Sequence, residues 1–296
     1  MNRRQFTRTT LAATLAAMTL PRSLHAAGPA GRRYLSTIGL QLWTVRNPMA
    51  QNAAATLRAV KDAGYVQVEL MNTASAAQIA PLARDVGLQI TSSMIDWTSI
   101  VTPSAANVPP LSDALATAKA HGLKYLVFGY IGKGHRETVK QMSALAAAAN
   151  TFGRQCREAG VQLCYHHHSF EFAPLDGGKT TGWDVFVGEF DPALVKFEID
   201  VFWAAIGGLD PVKTLRDLKG RVAQVHLKDL AKGTATEWDE GKVPAGAFKE
   251  LGQGGLDMRR IIEVCDETGV DQCHVEQDQS PDVLASIVTS AKYLRV

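Results

Sequence analysis

Along this chain, helical runs rich in alanine repeatedly end on a glycine, and an apolar, β-type run follows. The unit recurs at 61–70 (KDAGYVQVEL), 83–93 (ARDVGLQITSS), 118–129 (AKAHGLKYLVFG), 157–167 (REAGVQLCYHH) and 266–277 (DETGVDQCHVEQ). In each, the glycine stands where a helix C-terminus needs a left-handed residue before the chain turns into a strand. Further β-type runs at 37–43 (TIGLQLW), 194–200 (LVKFEID) and 221–228 (RVAQVHLK) bring the predicted strands to eight. Helical patterns fill the gaps, at 51–63, 75–86, 110–121, 136–159, 182–189, 210–219, 256–268 and 280–293. Strands alternating with helices imply parallel pairing through right-handed crossovers. Eight such units fit one α/β domain, a (β/α)8 TIM barrel over residues 37–296. A doubly wound open sheet is the competing arrangement, but no GxGxxG motif follows the first strand. The irregular stretch 229–255 is long for a connection in a compact domain, which predicts a functional loop.

Within the strands, polar and apolar residues alternate. Gln67 and Glu69 oppose Val66, Val68 and Leu70; Glu198 and Asp200 oppose Phe197, Ile199 and Val201. Gln224, His226 and Lys228 oppose Ala223, Val225 and Leu227, and His274, Glu276 and Asp278 oppose Cys273 and Val275. The apolar set is expected against the helices and the polar set in the barrel interior. In CYHHHSFEF, His166 and His168 share a face and His167 takes the other. Barrel active sites lie at the C-terminal strand ends. Those ends read Gln41, Glu69, Ser93 with Asp96, Tyr130, His166 with His168, Asp200, His226 with Lys228, and Glu276. A lone strand-end His or Asp is commonly a structural hydrogen-bonder. Inward charges converging from adjacent strands are costly unless paired or metal-bound, so the set calls for a cation. Its mixture of carboxylates and imidazoles suits Mn²⁺, Mg²⁺, Co²⁺ or Zn²⁺ without choosing among them.

The first residues change the charge and suggest a compartment. Arg3, Arg4 and Arg8 precede an apolar run from Leu11 to Leu20 and small residues at Ala26–Ala27. That layout predicts a twin-arginine-type signal peptide over 1–26, a mature segment 27–36, and export to the periplasm. A basic amphipathic N-terminal helix is the plainer alternative. Removing 1–26 takes away four arginines and no acids, leaving 27 basic against 29 acidic residues, a net charge of −2. No basic patch then points to nucleic acid. No later apolar stretch is long enough for a stable membrane span. The expected partners are a small sugar and, transiently, the export machinery; homo-oligomerisation stays open. Cys156, Cys164, Cys265 and Cys273 lack CxxC spacing and read as buried thiols or one optional bridge.

Seven pieces, IGLQLWTVR, GYVQVEL, YHHHSFEF, FEIDVFWAAIGGLDPV, VHLKD, GQGGLD and HVEQD, resemble the sugar isomerase/epimerase superfamily with a xylose-isomerase-like barrel, over about residues 37–295. The resemblance implies one divalent metal ion on the ends of strands five to eight. Carried over, it makes Asp200, His226 and Glu276 ligands. Sugar epimerases supply a glutamate on strand five, where this chain has His166, with His168 next on the same face. One of the two is the implied fourth ligand and the other a substrate contact. In the epimerases the glutamates of strands five and eight also move protons. Only Glu276 remains here, so proton work passes to His166 or His168, Glu69 or Lys228.

The shared chemistry is proton abstraction beside a carbonyl. The expected activity is isomerisation or epimerisation of an unphosphorylated sugar or keto-sugar. The alternative is a lyase or dehydratase that expels a β-substituent from a keto-polyol or 3-keto-glycoside, and the Tyr-His-x-His form also resembles such branches. A non-catalytic sugar-binding barrel is the third reading, disfavoured by the intact Asp200 and Glu276. Gln41, Trp43, Tyr130 and Trp203 are expected substrate contacts; Trp97 and Phe170 are further candidates for stacking walls, although single aromatics are often core. GQGGLD reads either as an anion site at a helix N-terminus or as a tight loop.

Overall fold

The computed structural model describes Tyr34 and residues 36–295; the expected signal peptide lies outside the described residues. Eight parallel strands close a barrel. They are β1 (Gly39–Gln41), β2 (Gln67–Leu70), β3 (Gln89–Met94), β4 (Tyr125–Gly129), β5 (Gln162–His166), β6 (Val195–Asp200), β7 (Val222–Leu227) and, after an antiparallel pair β8 (Asp229–Leu230) and β9 (Phe248–Lys249), β10 (Gln272–Val275). The order around the barrel is β1-β10-β7-β6-β5-β4-β3-β2, so each strand neighbours the next in sequence. The expected single (β/α)8 domain is therefore present.

The glycine punctuation works as its stereochemistry requires. Gly64 and Gly269 end helices Arg46–Ala63 and Met258–Thr268 with φ of 102° and 80°, conformations costly for residues with a Cβ. The strand faces sort as expected except at Ala223, the extra residue in β7, which turns away from the face of Val225 and Leu227. Val68, Leu70, Phe128, Leu163, Phe197, Val225 and Val275 join the helices in one continuous core. Tyr125, Val127, Cys164 and Ala223 form a small separate cluster. Cysteines 156, 164, 265 and 273 are all buried and free.

Two departures matter for the site. Beyond Gln41 the first run curls into a short 3-10 helix, Leu42–Val45, and a helix, Val201–Ile206, follows β6 directly. The segment 229–255 is an ordered strap: β8 pairs with β9, and Phe248 stacks on Phe202 with ring centroids 4.4 Å apart. Phe202, Trp203, Ile206, Leu230, Ala247 and Phe248 bury one another beneath it. Each of the large side chains Phe202, Ile206, Leu230 and Phe248 contributes about 1.5–3 kcal/mol by leaving water. No helix among the described residues is long and apolar enough to cross a membrane.

Candidate metal-binding active site

Adjacent strand register sets the site. Asp200 pairs with His226, and His226 with His274, across β6, β7 and β10. Their side chains therefore point into the barrel side by side. Opposite Phe197 and Glu198, β7 carries one extra residue, Ala223, just before His226; bulges are common near functional groups. Asp200 ends β6 and caps the next helix: its Oδ1 accepts from the N–H groups of Phe202 and Trp203 at 2.9 and 3.1 Å. Its Oδ2 is left facing the site.

Ligand atoms from His166, Asp200, His226 and Glu276, one each, lie within 4.8 Å of one another, and all four residues are buried. Two imidazoles and two carboxylates suit a divalent transition metal or Mg²⁺. Asp200 Oδ2 pairs with Lys228 Nζ at 3.1 Å, makes no hydrogen bond and is sealed from solvent, which leaves lone-pair capacity for a cation. The residues thus fit a resident cation. His168 is outside this quartet, so the structure separates the two histidines that the sequence left equivalent.

Beneath the quartet lies a layer that aims it. His166 Nδ1 is 3.1 Å from Glu198 Oε2, and His226 Nε2 is 2.8 Å from Glu69 Oε1. Glu69 accepts also from Gln41 and Ser92, and Glu198 from Gln224. Carboxylates in this position fix the orientation of ligating imidazoles. Glu69 is fully buried and does not line the cavity, so the structure places it one layer below any substrate. His274 belongs to the same layer, and its ring occupies the space above Gly39, where a Cβ would stand 2.1 Å from Cδ2.

Electrostatics follow from this crowding. Burial pushes the Glu198 carboxyl up to about 8, with the neighbouring Glu69 charge adding to it. Glu69 is driven the other way, to about 2, because the His226 hydrogen bond and charge outweigh its burial. His226 is raised well above the ordinary imidazole range: burial opposes this, but Glu198 and Glu276 prevail. Lys228, fully buried, is likewise raised despite desolvation, because Asp200, Asp278 and Glu276 surround it; its Nζ is 2.8 Å from Glu276 and 2.9 Å from Asp278. Burial and the nearby Lys228 charge lower His168 to about 3.

His167 turns away, as its parity predicts. Its Nδ1 donates to the His168 carbonyl at 3.0 Å, and its Nε2 accepts from the Asp200 N–H at 3.3 Å. The ring packs on Phe172 and Trp183. It ties the end of β5 to the end of β6.

Above the quartet opens a cavity of about 600 Å³, within the usual range for small-molecule sites. Gln41, Trp43, Tyr130, His166, His168, Trp203, His226, Lys228 and Glu276 all line it. Trp43 and Tyr130 stand half exposed at its mouth, and Trp203 is buried against the His168 ring, centroids 5.2 Å apart. Trp97 and Phe170 do not line it: Trp97 packs on His135, and Phe170 lies under Arg136. Sequence reasoning missed Met71, Met94 and Ile95 on one wall, and Glu240, Val243 and Phe248, which the strap contributes. The strap's length was the available signal; the residues it delivers depend on how it folds back.

The GQGGLD question has a structural answer. Asp229 Oδ2 accepts from the N–H groups of Gly252 and Gly254 at 3.0 Å each, and Oδ1 from Leu256 at 3.1 Å. The protein's own carboxylate fills the amides that an anion would use, so the tight-loop reading holds.

The model of the xylose isomerase-like TIM barrel family matches residues 57–294. An inosose dehydratase of Clostridium perfringens is 28% identical over 166 residues, 53% of this chain and 54% of that protein. The chain thus matches about half the length of such curated relatives. A sugar phosphate isomerase/epimerase from Parabacteroides distasonis has a similar structure, with a TM-score of 0.68 and 25% identity over 87% of this chain and 96% of the other. The zinc-bound IolI protein shares the fold, with a TM-score of 0.63 and 14% identity over 88% of this chain and 96% of the other.

Proposed function

This chain belongs to the xylose isomerase-like TIM barrel family, and we propose that it is a divalent-metal-dependent lyase. Its substrate is an uncharged keto-polyol or keto-sugar, from which it expels water or another group β to the carbonyl. One observation carries this reading: the cavity holds an acid and a base of different kinds. His168 is neutral and its side chain faces the cavity. Lys228 keeps its proton within a cage of carboxylates. Both line the same cavity.

His166, Asp200, His226 and Glu276 would hold the ion, which when bound supplies Lewis-acid polarisation of the substrate carbonyl. His168 takes the proton from the carbon beside that carbonyl. The electrons of the broken C–H bond form a carbon–carbon double bond, and the β-substituent leaves with its bonding pair. Lys228 donates the proton that the leaving oxygen needs. Trp203 and Tyr130 pack around His168. The inosose dehydratase relatives support elimination, and the zinc bound by IolI is consistent with a metal in this fold. Isomerisation or epimerisation is the second reading, favoured by the likeness to the P. distasonis protein across most of both chains.

The test uses manganese-loaded protein and inosose, with a 3-keto-glycoside in parallel. The reading expects a conjugated product to appear in the ultraviolet spectrum. His168→Ala and Lys228→Met should each lower its rate by about 10²- to 10⁴-fold, the usual worth of a general acid or base. Full rates in both variants would remove these residues from the reaction.

A further inference from the structure

Glu240 reaches the cavity from the strap, at the start of the 3-10 turn Glu240–Lys242. Its Oε1 lies 2.6 Å from Arg136 Nη2, and both side chains are largely buried. Arg136 comes from the opposite side of the barrel, before helix Val139–Glu158. Its guanidinium lies 3.6 Å from the Phe170 ring centroid, and Phe170 in turn stacks on His168 at 5.9 Å. The pair therefore joins the strap, at the cavity wall, to Phe170 in the loop that carries the proposed base.

The pair is incompletely satisfied. Glu240 Oε2 and Arg136 Nη1 are buried, and neither has a hydrogen-bond partner. Leaving such groups unmatched is costly, and both atoms lie behind the cavity face that Glu240 presents. Other charges nearby are already committed. Arg46 lies over Trp43 and donates to the Asp278 carbonyl, while Lys133 and Lys242 flank Asp239. Lys228 is held by Asp200, Glu276 and Asp278. Without Glu240, the Arg136 guanidinium would lose the carboxylate that neutralises it, and guanidinium forks suit phosphate and carboxylate groups.

Resting on the proposed carbohydrate chemistry, we propose that Glu240, held by Arg136, determines specificity for uncharged polyhydroxylated substrates. Its carboxylate at the cavity wall accepts a substrate hydroxyl, and its charge keeps Arg136 from recruiting an anionic one. Glu240 is not one of the four quartet residues, so its substitution is expected to leave the metal site intact.

Calorimetric titration of manganese-loaded protein with myo-inositol and with myo-inositol monophosphate tests this without requiring turnover. Wild type should bind the uncharged polyol at least tenfold more tightly. Glu240→Gln, which keeps shape but removes charge, should raise monophosphate affinity at least tenfold. Glu240→Ala should do the same and weaken myo-inositol at least fivefold. The gain for monophosphate should vanish when Arg136→Met is added to Glu240→Ala, and manganese content should stay that of wild type throughout. If both Glu240 variants keep the wild-type ratio of affinities, Glu240 has no such role. A wild type that prefers the monophosphate, or binds neither compound, overturns the uncharged-polyol reading itself.

Discussion

Each histidine of the HHH run has its own neighbours, and those neighbours separate three residues of one chemistry. His166 joins the quartet with Asp200, His226 and Glu276; His167 bridges β5 and β6; His168 faces the cavity. Asp200→Ala or His226→Ala should therefore abolish high-affinity manganese or zinc binding, read by elemental analysis of dialysed protein. His167→Ala should keep the ion and lose about 1–3 kcal/mol of stability, the cost of unpairing the buried Asp200 N–H. Loss of metal in His167→Ala with retention in His166→Ala would reverse the assignment. Just behind them, burial raises Glu171 to about 7, with Tyr165 and the His168 N–H as its partners. Its folded form holds a proton that the unfolded chain has already released. The stability it contributes is thus present below an ordinary carboxyl pKa and fades as pH climbs to about 7, by on the order of 3 kcal/mol. Glu171→Gln should flatten the decline of melting temperature between pH 5 and 7. An unchanged slope would place the shift elsewhere.

One buried side chain pins the far end of the strap 229–255. Asp229 is fully buried and gathers backbone N–H groups from Leu230, Gly252, Gly254 and Leu256. Asp229→Ala leaves several of these amides unpaired and should cost about 3 kcal/mol, seen in chemical denaturation. Glu240 would lose its fixed place in the cavity with it. A variant as stable as wild type would show that the strap holds itself. This element also marks the limit of what sequence reveals. The barrel strands were legible because glycine stops and period-2 alternation are local signals, and parity put Glu69, Glu198, Asp200, His226 and Glu276 inside together. The strap has no period. Its β8–β9 pairing, the Asp229 nest and the Arg136–Glu240 contact join residues up to 104 positions apart, which local pattern does not encode. The same reason hid the burial of Glu69 beneath His226: alternation gives the face of a strand but not the depth of a layer.

At the scale of the molecule, a closed barrel gathers buried ionisable groups from β2, β5, β6, β7 and β10 under one cavity, and the strap closes over them. Such a structure spends stability on chemistry, since an apolar interior would be cheaper. The proposed export to the periplasm rests on the arginine pair and apolar run before residue 27, and fits an uncharged substrate. The central claim is elimination. It is tested most directly by incubating manganese-loaded protein with inosose in heavy water and recording the masses of product and recovered substrate. The account predicts a product lighter by one water. Inosose of unchanged skeleton carrying solvent deuterium, with no water lost, would contradict it and make the enzyme an isomerase or epimerase.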